Sequence, residues 1–235
     1  MLKYILAIII FGVIIFIHEF GHFFVAKLCG IKVNKFALGM GPKILKKQIG
    51  ETEYSLRLFP VGGFCAMEGE DQESENSRAF GNKPVWKRMF VIVAGAFMNI
   101  LLGFVLIVIL TCMRSAVPST IVGGFSTQSE TSEIITAQSY ECGLREGDEI
   151  IKMDGMRIFT PSDLSYQLYS DDDGKFDIVV KRDGKKITLN DVIFHDSATD
   201  SVVDFQIKGL NKNPLNVLAF SGKDTVSTAR MIWIS

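Results

Sequence analysis

The sequence predicts a membrane α-helical protein with two transmembrane helices, a membrane-associated β element and one small α+β domain. Two apolar runs are long enough to cross a bilayer, and a later segment has the turns and periodicity of a soluble domain. Of the 235 residues, 48% are hydrophobic and 22% are charged, a composition that excludes a disordered chain. The net charge of −1 excludes the basic footprint of a nucleic-acid-binding protein.

The apolar runs cover residues 4–28 and 90–112, and each exceeds the roughly 20 residues that a helix needs to cross a hydrocarbon core of about 30 Å. The first run begins with residues 4–17, which carry no charge, and the second has Asn99 as its only strongly polar residue. A cleaved signal peptide is the alternative for the first run. No small-residue cleavage site follows it, and we therefore predict two retained spans.

An uneven charge distribution predicts how the spans are oriented. Residues 27–88 contain eleven Lys/Arg and seven Asp/Glu, whereas residues 115–225 contain eleven Lys/Arg and eighteen Asp/Glu. Because basic connecting segments stay in the cytoplasm, the first segment is expected inside the cell and the acidic segment outside it. Cys142 is the only cysteine of the exterior segment, so no disulfide framework is expected.

Two glycine-bearing runs between the spans predict short strands and tight turns close to the membrane surface. They are residues 36–42 (FALGMGP) and 58–67 (LFPVGGFCAM), and an acidic stretch at residues 68–77, typical of a solvated loop, follows them. Irregular backbone at membrane depth is tolerated only where protein or a water-filled cavity satisfies its polar groups. The β element is therefore expected to lie beside the predicted transmembrane helices and not to face lipid.

The segment from residue 117 to residue 204 predicts the small α+β domain. Asp154-Gly155 and Asp183-Gly184 each separate two short strand-like runs, which is the pattern of a two-residue hairpin turn. Between the two hairpins, Thr160-Pro161 is typical of a helix start, with Thr160 as the N-cap and Pro161 in the first turn.

The residues with the clearest chemistry are His18, Glu19 and His22, which form an HExxH motif in the first span. On a helix, residues four apart share a face, so both imidazoles can bind one cation, and Glu19 leans toward the same site. Zinc is the expected metal, since it binds imidazole and carboxylate ligands and lowers the pKa of a bound water to about 7. Glu19 would then act as general base and general acid.

An accidental motif on a solvated helix face is the alternative interpretation. The membrane setting argues against it, because three ionisable side chains clustered within a span are costly and usually functional. Metal coordination is a specific way to offset that cost.

Taken together and in this order, the motifs resemble the site-2 protease family of intramembrane zinc metalloproteases, and most closely its RseP-like branch, which has a PDZ domain after the second span. The matching motifs are HEFGH, FALGMGP, FPVGGF, AGAFMN and GLREGDEI. The resemblance implies that His18 and His22 are zinc ligands and that Glu19 is the catalytic glutamate. It also implies regulated intramembrane proteolysis of single-span substrates, such as an anti-sigma factor or a remnant signal peptide.

The resemblance suggests substrate-binding residues as well. Gly95 and Asn99 match the family's G-x-x-x-N, although the Pro that commonly follows the Gly is Ala96 here. Asn99 would hydrogen-bond an unwound substrate or an oxyanion; ordinary helix packing is the alternative, and the residues alone leave both open. Gly62 and Gly63, with Gly39 and Gly41, match the β element that presents an edge to the substrate, and plain surface turns are the alternative.

The GLREGD run at residues 143–148 resembles the signature of bacterial PDZ domains, whose groove accepts an extended peptide. A purely structural turn is the better explanation of Gly147 and Asp148, so no catalytic role is expected there. His195 lies in the exterior segment and is not expected to be a third ligand.

The chain departs from the family at the third zinc ligand, which the family takes from an Asp of an L-D-G motif on a later transmembrane helix. Asp154, Asp173 and Asp183 precede Gly, but all three are expected in polar hairpins of the exterior domain. The sequence is therefore expected to be the N-terminal portion of a longer protease, and alone it is expected to have little or no activity.

The predicted organisation is a metalloprotease core at residues 1–112, an extracytoplasmic PDZ-like domain at 113–208 and the start of a membrane-proximal segment at 209–235. The predicted function is that of an intramembrane zinc metalloendopeptidase in the bacterial inner membrane, with Zn²⁺ as cofactor. Its expected partners are single-span or signal-peptide substrates, a peptide ligand of the PDZ-like domain and the lipid bilayer. A non-catalytic, membrane-anchored PDZ protein is the main alternative. A metal transporter is less well supported, because the second span offers only Asn99 as a polar group.

Overall fold

The structure is a computed structural model that describes residues 1–125, 137–170, 174–194 and 203–234, so Asp173 and His195 lie outside the described residues. The chain folds as two compact units, Met1–Gly103 and Phe104–Ser235. Its elements, in chain order, are α1 (Leu2–Leu28), β1 (Val33–Ile49), β2 (Thr52–Met67), α2 (Val85–Met113), β3 (Val122–Phe125), α3 (Gln138–Glu141), β4 (Glu149–Met153), β5 (Met156–Arg157), α4 (Pro161–Ser170), β6 (Phe176–Arg182), β7 (Lys185–Val192), β8 (Phe205–Ile207) and α5 (Pro214–Ile234).

Two long helices, α1 and α2, are long and apolar enough to cross a membrane, which confirms the two predicted spans by length and composition. In each helix only a small share of the most apolar stretch is buried, 6% in α1 and 11% in α2. The core helix of a soluble protein would instead be mostly buried. α2 begins earlier than the apolar run, because the helix extends through Lys87 and Arg88 after Pro84.

The element between α1 and α2 is a long antiparallel ribbon of β1 and β2, joined by a turn at Gly50 and Glu51. The prediction of short strands that end in tight turns is wrong about the length of the strands. Gly39 and Gly41 in β1 and Gly62 in β2 have φ angles of +86°, +83° and +85°, yet strand pairing resumes beyond them. They form irregularities within the strands, because a glycine with positive φ lets a strand bend without ending it.

The ribbon folds back on itself, so that residues 35–38 of β1 have strand partners on both sides. Leu38, for example, pairs with Gly63 on one side and with Leu56 on the other. Residues 63–67 therefore form an outer edge of this sheet. No strand within the described ranges pairs with the far side of that edge.

Ion pairs connect the end of α1 to the ribbon. Glu51 accepts a hydrogen bond from Lys27 Nζ at 2.7 Å and a two-pronged contact from Arg78, at 2.7 and 2.8 Å. The Arg78 guanidinium and the Lys27 ammonium lower the pKa of the Glu51 carboxyl group to about 2. The charged form of Glu51 is therefore the one that the fold favours.

The second unit contains a four-stranded antiparallel sheet in the order β5-β4-β6-β7 and a separate pair of strands, β3 and β8. Both predicted two-residue turns are confirmed, since Asp154-Gly155 joins β4 to β5 and Asp183-Gly184 joins β6 to β7, each with two positive φ angles. The core of this unit contains Val122, Leu144, Ile150, Met153, Ile158, Leu164, Phe176, Ile178, Val180, Val192, Phe194 and Phe205.

The predicted start of α4 is also confirmed, and a buried carboxylate holds it in place. Asp163 is fully buried and accepts hydrogen bonds from the backbone amides of Phe159 at 2.7 Å and Thr160 at 3.0 Å. Its other oxygen accepts hydrogen bonds from Ser227 and Arg230 of α5. One side chain therefore caps α4 and attaches α5 to it.

Asp148, in the GLREGD run, is likewise fully buried. Arg182 donates to both of its carboxylate oxygens at 2.7 Å, and the backbone N–H of Arg145 donates at 2.9 Å. The described contacts of Asp148 are thus those of a structural turn that is fixed by an ion pair.

We expect Glu51→Gln to lower the thermal denaturation temperature at pH 7 and to have a vanishing effect in strong acid. The ordinary pKa of the group is 4.5 and its folded-state pKa is about 2, so its ion pairs stabilise the fold above the ordinary value. That stabilisation is lost as the pH falls from 4.5 towards 2. Thermal unfolding of the detergent-solubilised protein over this pH range measures the effect. Glu73→Gln, at an exposed residue without an ion pair among the described contacts, is the control; an equal loss in both variants contradicts the prediction.

Candidate metal centre

His18 and His22 lie one turn apart on α1 and face each other. Their Nε2 atoms are 3.2 Å apart, and the ring centroids are separated by 4.9 Å. Two nitrogen ligands at 2.0–2.1 Å from a tetrahedral zinc ion would be about 3.3 Å from each other. The two nitrogen atoms therefore have the separation that a single zinc ion requires.

The far nitrogen of each imidazole contacts α2. His22 Nδ1 lies 2.7 Å from the carbonyl oxygen of Val91, and because a carbonyl can only accept, this nitrogen carries a hydrogen; in the neutral imidazole Nε2 then keeps its lone pair. His18 Nδ1 lies 3.3 Å from the side-chain amide nitrogen of Asn99. Such partners behind a histidine ligand fix its tautomer and the orientation of its ring.

The Asn99 amide supports the fit to a metal. Its Oδ1 atom is buried and has no hydrogen-bond partner among the described residues. The nitrogen and oxygen of an amide are nearly indistinguishable in shape, and their assignment follows the hydrogen-bond network. With the amide turned over, Oδ1 would accept a hydrogen bond from His18 Nδ1–H. Both Nε2 lone pairs would then face one point, which is the arrangement that a cation requires.

Glycines allow α1 and α2 to approach this closely. A Cβ atom on Gly95 would lie 2.5 Å from His22 Nε2 and 2.7 Å from His18 Nε2, and a Cβ atom on Gly21 would lie 2.6 Å from the Ala94 carbonyl oxygen. Real Cβ atoms do not come this near to other heavy atoms. The space in which the imidazoles meet therefore exists only because residue 95 has no side chain.

The side chain of Glu19, on α1, lies beside the β1–β2 sheet. A Cβ atom on Gly63 would come within 3.1 Å of the Cγ atom of Glu19, so the outer edge of the sheet begins beside this carboxylate. Glu19 and His22 line a cavity of about 290 Å³ together with Phe64, Cys65, Met67, Glu70, Phe80, Val91 and Ile92. Residues from α1, α2, β2 and the loop after β2 therefore enclose one space.

Burial raises the pKa of the Cys65 thiol in this cavity to about 12, and the negative charges of Glu19 and Glu70 raise it as well. The thiol is therefore neutral at pH 7. Glu70 belongs to the acidic stretch that the sequence predicts as a solvated loop; it is exposed, as predicted, and also lines the rim of this cavity. Glu68, in the same stretch, is only partly exposed, and Lys32, Asn34 and Ser74 all donate hydrogen bonds to it.

The structure thus brings Gly63, Gly95 and Asn99 to the His18–Glu19–His22 motif. Gly62 faces β1 instead, since its Cβ atom would lie 2.7 Å from Met40 Cε. Sequence reasoning missed the Val91 carbonyl, because a backbone oxygen leaves no mark on residue type. The one sequence signal for this contact is that Val91 lies four residues before Gly95, one helical turn away.

Within the described parts of the chain, no group of three or more His, Cys, Asp or Glu side chains forms a metal site. Asp154 and Asp183 occupy hairpin turns of the second unit, as the sequence predicts. Among the described residues, the two imidazoles are therefore the only candidate ligands that this site offers.

Comparison with known proteins identifies the family of the chain as a whole. The sequence pattern of peptidase family M50 matches residues 6–230. A protein of Clostridium perfringens named "Putative zinc metalloprotease" is 39% identical over 184 residues, which are 78% of this chain and 52% of the relative. A protein of the same descriptive name from Clostridium acetobutylicum is 37% identical over 79% of the chain and 52% of its own length.

A more distant relative is the regulator of sigma-W protease RasP of Bacillus subtilis, which is 26% identical over 96% of the chain and 72% of its own length. The chain spans about half the length of the clostridial relatives that it matches. The family match covers nearly the whole sequence, including the HExxH helix and the second span. The chain therefore belongs to peptidase family M50, the site-2 protease family whose motifs it contains.

Proposed function

We propose that the protein is an intramembrane zinc metalloendopeptidase of the bacterial inner membrane, which performs regulated intramembrane proteolysis. The observation that carries this proposal is the 3.2 Å separation of two imidazole nitrogens on a helix apolar enough to span a membrane. Zinc, when bound, would activate water and polarise the scissile carbonyl group. The proposal requires a third protein ligand in addition to His18 and His22.

Glu19 is proposed as the residue that moves the proton. It lines the same cavity as His22, next to the edge of the sheet, where water and a peptide bond can both reach it. Its carboxylate would take the proton of the attacking water and deliver it to the nitrogen of the leaving amine. The peptide bond is thereby replaced by a carboxylic acid and an amine, which ionise to a carboxylate and an ammonium group, and Glu19 returns to its charged form.

The outer edge at residues 63–67 is proposed to hold the substrate. Its backbone groups have no strand partner among the described residues on one side, and Gly63 at one end lies beside Glu19. A substrate helix must unwind before it can be cut, and an added strand is the conformation that such an edge stabilises. Gly62 would contribute through its backbone bend. Single-span proteins of the anti-sigma factor or remnant signal peptide class are the proposed substrates.

The contacts of Gly95 and Asn99 support a second role for these residues, in addition to the substrate binding predicted from the sequence. Both lie against the imidazoles, so we propose that Gly95 makes room for the metal centre and that Asn99 orients His18. A contribution of either residue to substrate binding stays a prediction.

The second unit is proposed to be the PDZ-like, extracytoplasmic domain, which binds an extended peptide. The GLREGD run, with its buried Asp148–Arg182 pair, the following hairpin and α4 support this assignment. Residues 27–88 are correspondingly proposed to face the cytoplasm, which places the β1–β2 ribbon at the inner surface of the membrane.

In a full-length protein that supplies the third zinc ligand, we expect Glu19→Gln to reduce cleavage of a single-span model substrate by about 10²–10⁴-fold, because the general base is lost. The zinc content of the purified protein should remain unchanged, whereas His18→Ala and His22→Ala should lower it. Cleavage in proteoliposomes and elemental analysis measure the two effects. Glu73→Gln serves as the control. Cleavage at the wild-type rate by Glu19→Gln, or wild-type zinc content without both histidines, would overturn the protease proposal.

Gly95→Ala is expected to weaken zinc binding by at least about tenfold, because the added methyl group collides with both imidazole rings. Gly103→Ala is a matched control on the same helix, since a Cβ atom there would meet no heavy atom within 4 Å. Chelator competition in detergent gives the affinities. Equal zinc affinity in the two variants would contradict a spacing role for Gly95.

For Asn99→Ala, we expect zinc affinity to fall by about 10–100-fold, as is typical when the partner behind a histidine ligand is removed. Asn99→Asp should retain most of the affinity, because a carboxylate also accepts a hydrogen bond from His18 Nδ1–H. If Asn99 only binds substrate, Asn99→Ala will raise the KM for substrate and leave zinc affinity unchanged.

A further inference from the structure

The backbone N–H of Met67, the last residue of β2, points out of the β1–β2 sheet. The N–H of the next residue, Glu68, donates to the Lys32 carbonyl oxygen at 2.9 Å and therefore faces β1. On β1, Val33 lies opposite Met67, and its carbonyl oxygen accepts a hydrogen bond from Thr52 on the far side. Because the direction of backbone groups alternates along a strand, both observations turn the Met67 N–H toward the outer edge.

The same alternation gives the direction of two further donors on this edge. Pairing with β1 advances one residue at a time from Ala66 to Gly63, so the N–H groups of Cys65 and Gly63 point outward like that of Met67. No described carbonyl of a loop or turn accepts a hydrogen bond from either group. An added strand would therefore find two open donors, and Gly63 lies beside Glu19.

The outward N–H of Met67, in contrast, already has an acceptor. It donates to Oε2 of Glu70 at 3.1 Å, so a side chain from the loop after β2 occupies the place that a substrate carbonyl oxygen would take. Met67 lies four residues from Gly63, which is roughly 13 Å along a strand. The outer edge thus has open donors beside Glu19 and a capped donor at its far end.

The loop that carries Glu70 is packed tightly against itself. Gly69 has a φ angle of +69°, and a Cβ atom there would lie 2.7 Å from the Cβ atom of Ala79. The side chain of Glu68 accepts a hydrogen bond from Ser74 of the same loop at 2.9 Å. These contacts hold the exposed Glu70 side chain at the end of the strand.

We propose that Glu70 is a positioning residue, which ends an added substrate strand before Met67 and thereby fixes the peptide bond that reaches Glu19. This role of Glu70 rests on the proposed function, since it takes the outer edge as the substrate site. Glu70 itself makes no contact with the reacting atoms. It acts by removing one backbone donor from the edge.

The cap selects between two registers of a short unwound substrate segment. A segment that pairs at two donors can use Gly63 with Cys65, or Cys65 with Met67. These registers differ by two residues, so each substrate side chain keeps its face of the sheet and the side chains do not distinguish them. With the Met67 donor occupied by Glu70, only the first register gains both hydrogen bonds.

Substitution of Glu70 tests this role in a full-length protein that supplies the third zinc ligand. In Glu70→Ala the Met67 donor is free, and the ratio of the product cut two residues away to the main product should rise by about two- to tenfold, which is the value of one net hydrogen bond. Glu70→Gln should keep the wild-type ratio, because its side-chain carbonyl oxygen still accepts from Met67. Mass spectrometry of a cleaved single-span substrate measures the ratio. Glu73→Ala, at an exposed residue of the same loop, is the matched control and should also keep it.

Hydrogen–deuterium exchange measures the cap without cleavage. In Glu19→Gln protein, an uncut substrate should slow exchange of the Gly63 and Cys65 amides by at least about tenfold and leave the Met67 amide unchanged. When Glu70→Ala is added, the Met67 amide should exchange faster in the free protein and become protected by substrate.

Four results would overturn the proposal. They are an unchanged product ratio in Glu70→Ala, an equal change in Glu73→Ala, protection of the Met67 amide by substrate while Glu70 is present, and equal exchange of that amide in the free proteins with and without Glu70. If the wild-type protein cuts no single-span substrate, the proposed function fails instead, and the exchange of the Met67 amide still decides the role of Glu70.

Discussion

The close approach of α1 and α2 is the constraint on which the candidate site depends. Only glycines at positions 21 and 95 permit it, because a methyl group at either position would overlap atoms of the other helix. This approach brings the Val91 carbonyl and the Asn99 amide to the far sides of the two imidazoles. Without it, His18 and His22 would still share a helix face, but nothing would fix the direction of their lone pairs.

The β1–β2 sheet forms the third wall of the candidate site. The position of the sheet depends on contacts other than the close approach of α1 and α2. Phe23 of α1 packs on Phe36 and Tyr54 of the sheet, while Glu51 joins the turn of the ribbon to Lys27 and Arg78. Aromatic packing and an ion-pair cluster thus fix the sheet near the end of α1, and Gly63 then allows its edge to approach Glu19. The proposed catalytic and substrate-holding groups are therefore positioned by separate sets of contacts.

Much of this arrangement follows from residue type, and the rest depends on atoms that residue type does not specify. Hydropathy located both spans, and the Asp-Gly pairs at 154–155 and 183–184 located two hairpins, because each signal acts over a few neighbouring residues. The length of β1 and β2 was predicted wrongly, since Gly39 and Gly62 can end a strand or bend it. Glu70 was assigned to solvent because its neighbours are acidic, and it is indeed exposed, but its position at the rim of the cavity beside Glu19 could not be predicted from that pattern. The HExxH residues were evident from spacing alone, while the Val91 oxygen became visible only once α2 was in place.

The Val91 carbonyl has a consequence for the dynamics of this site. In a continuous α2, the same oxygen accepts the backbone N–H of Gly95 four residues later, and it also accepts the His22 imidazole. One atom thus serves both the helix ladder and the histidine. Fraying of this single turn would free the imidazole and expose the Gly95 amide at the same moment, so loss of the His22 ring orientation and local melting of α2 would be one cooperative event, visible as deuterium uptake at one amide.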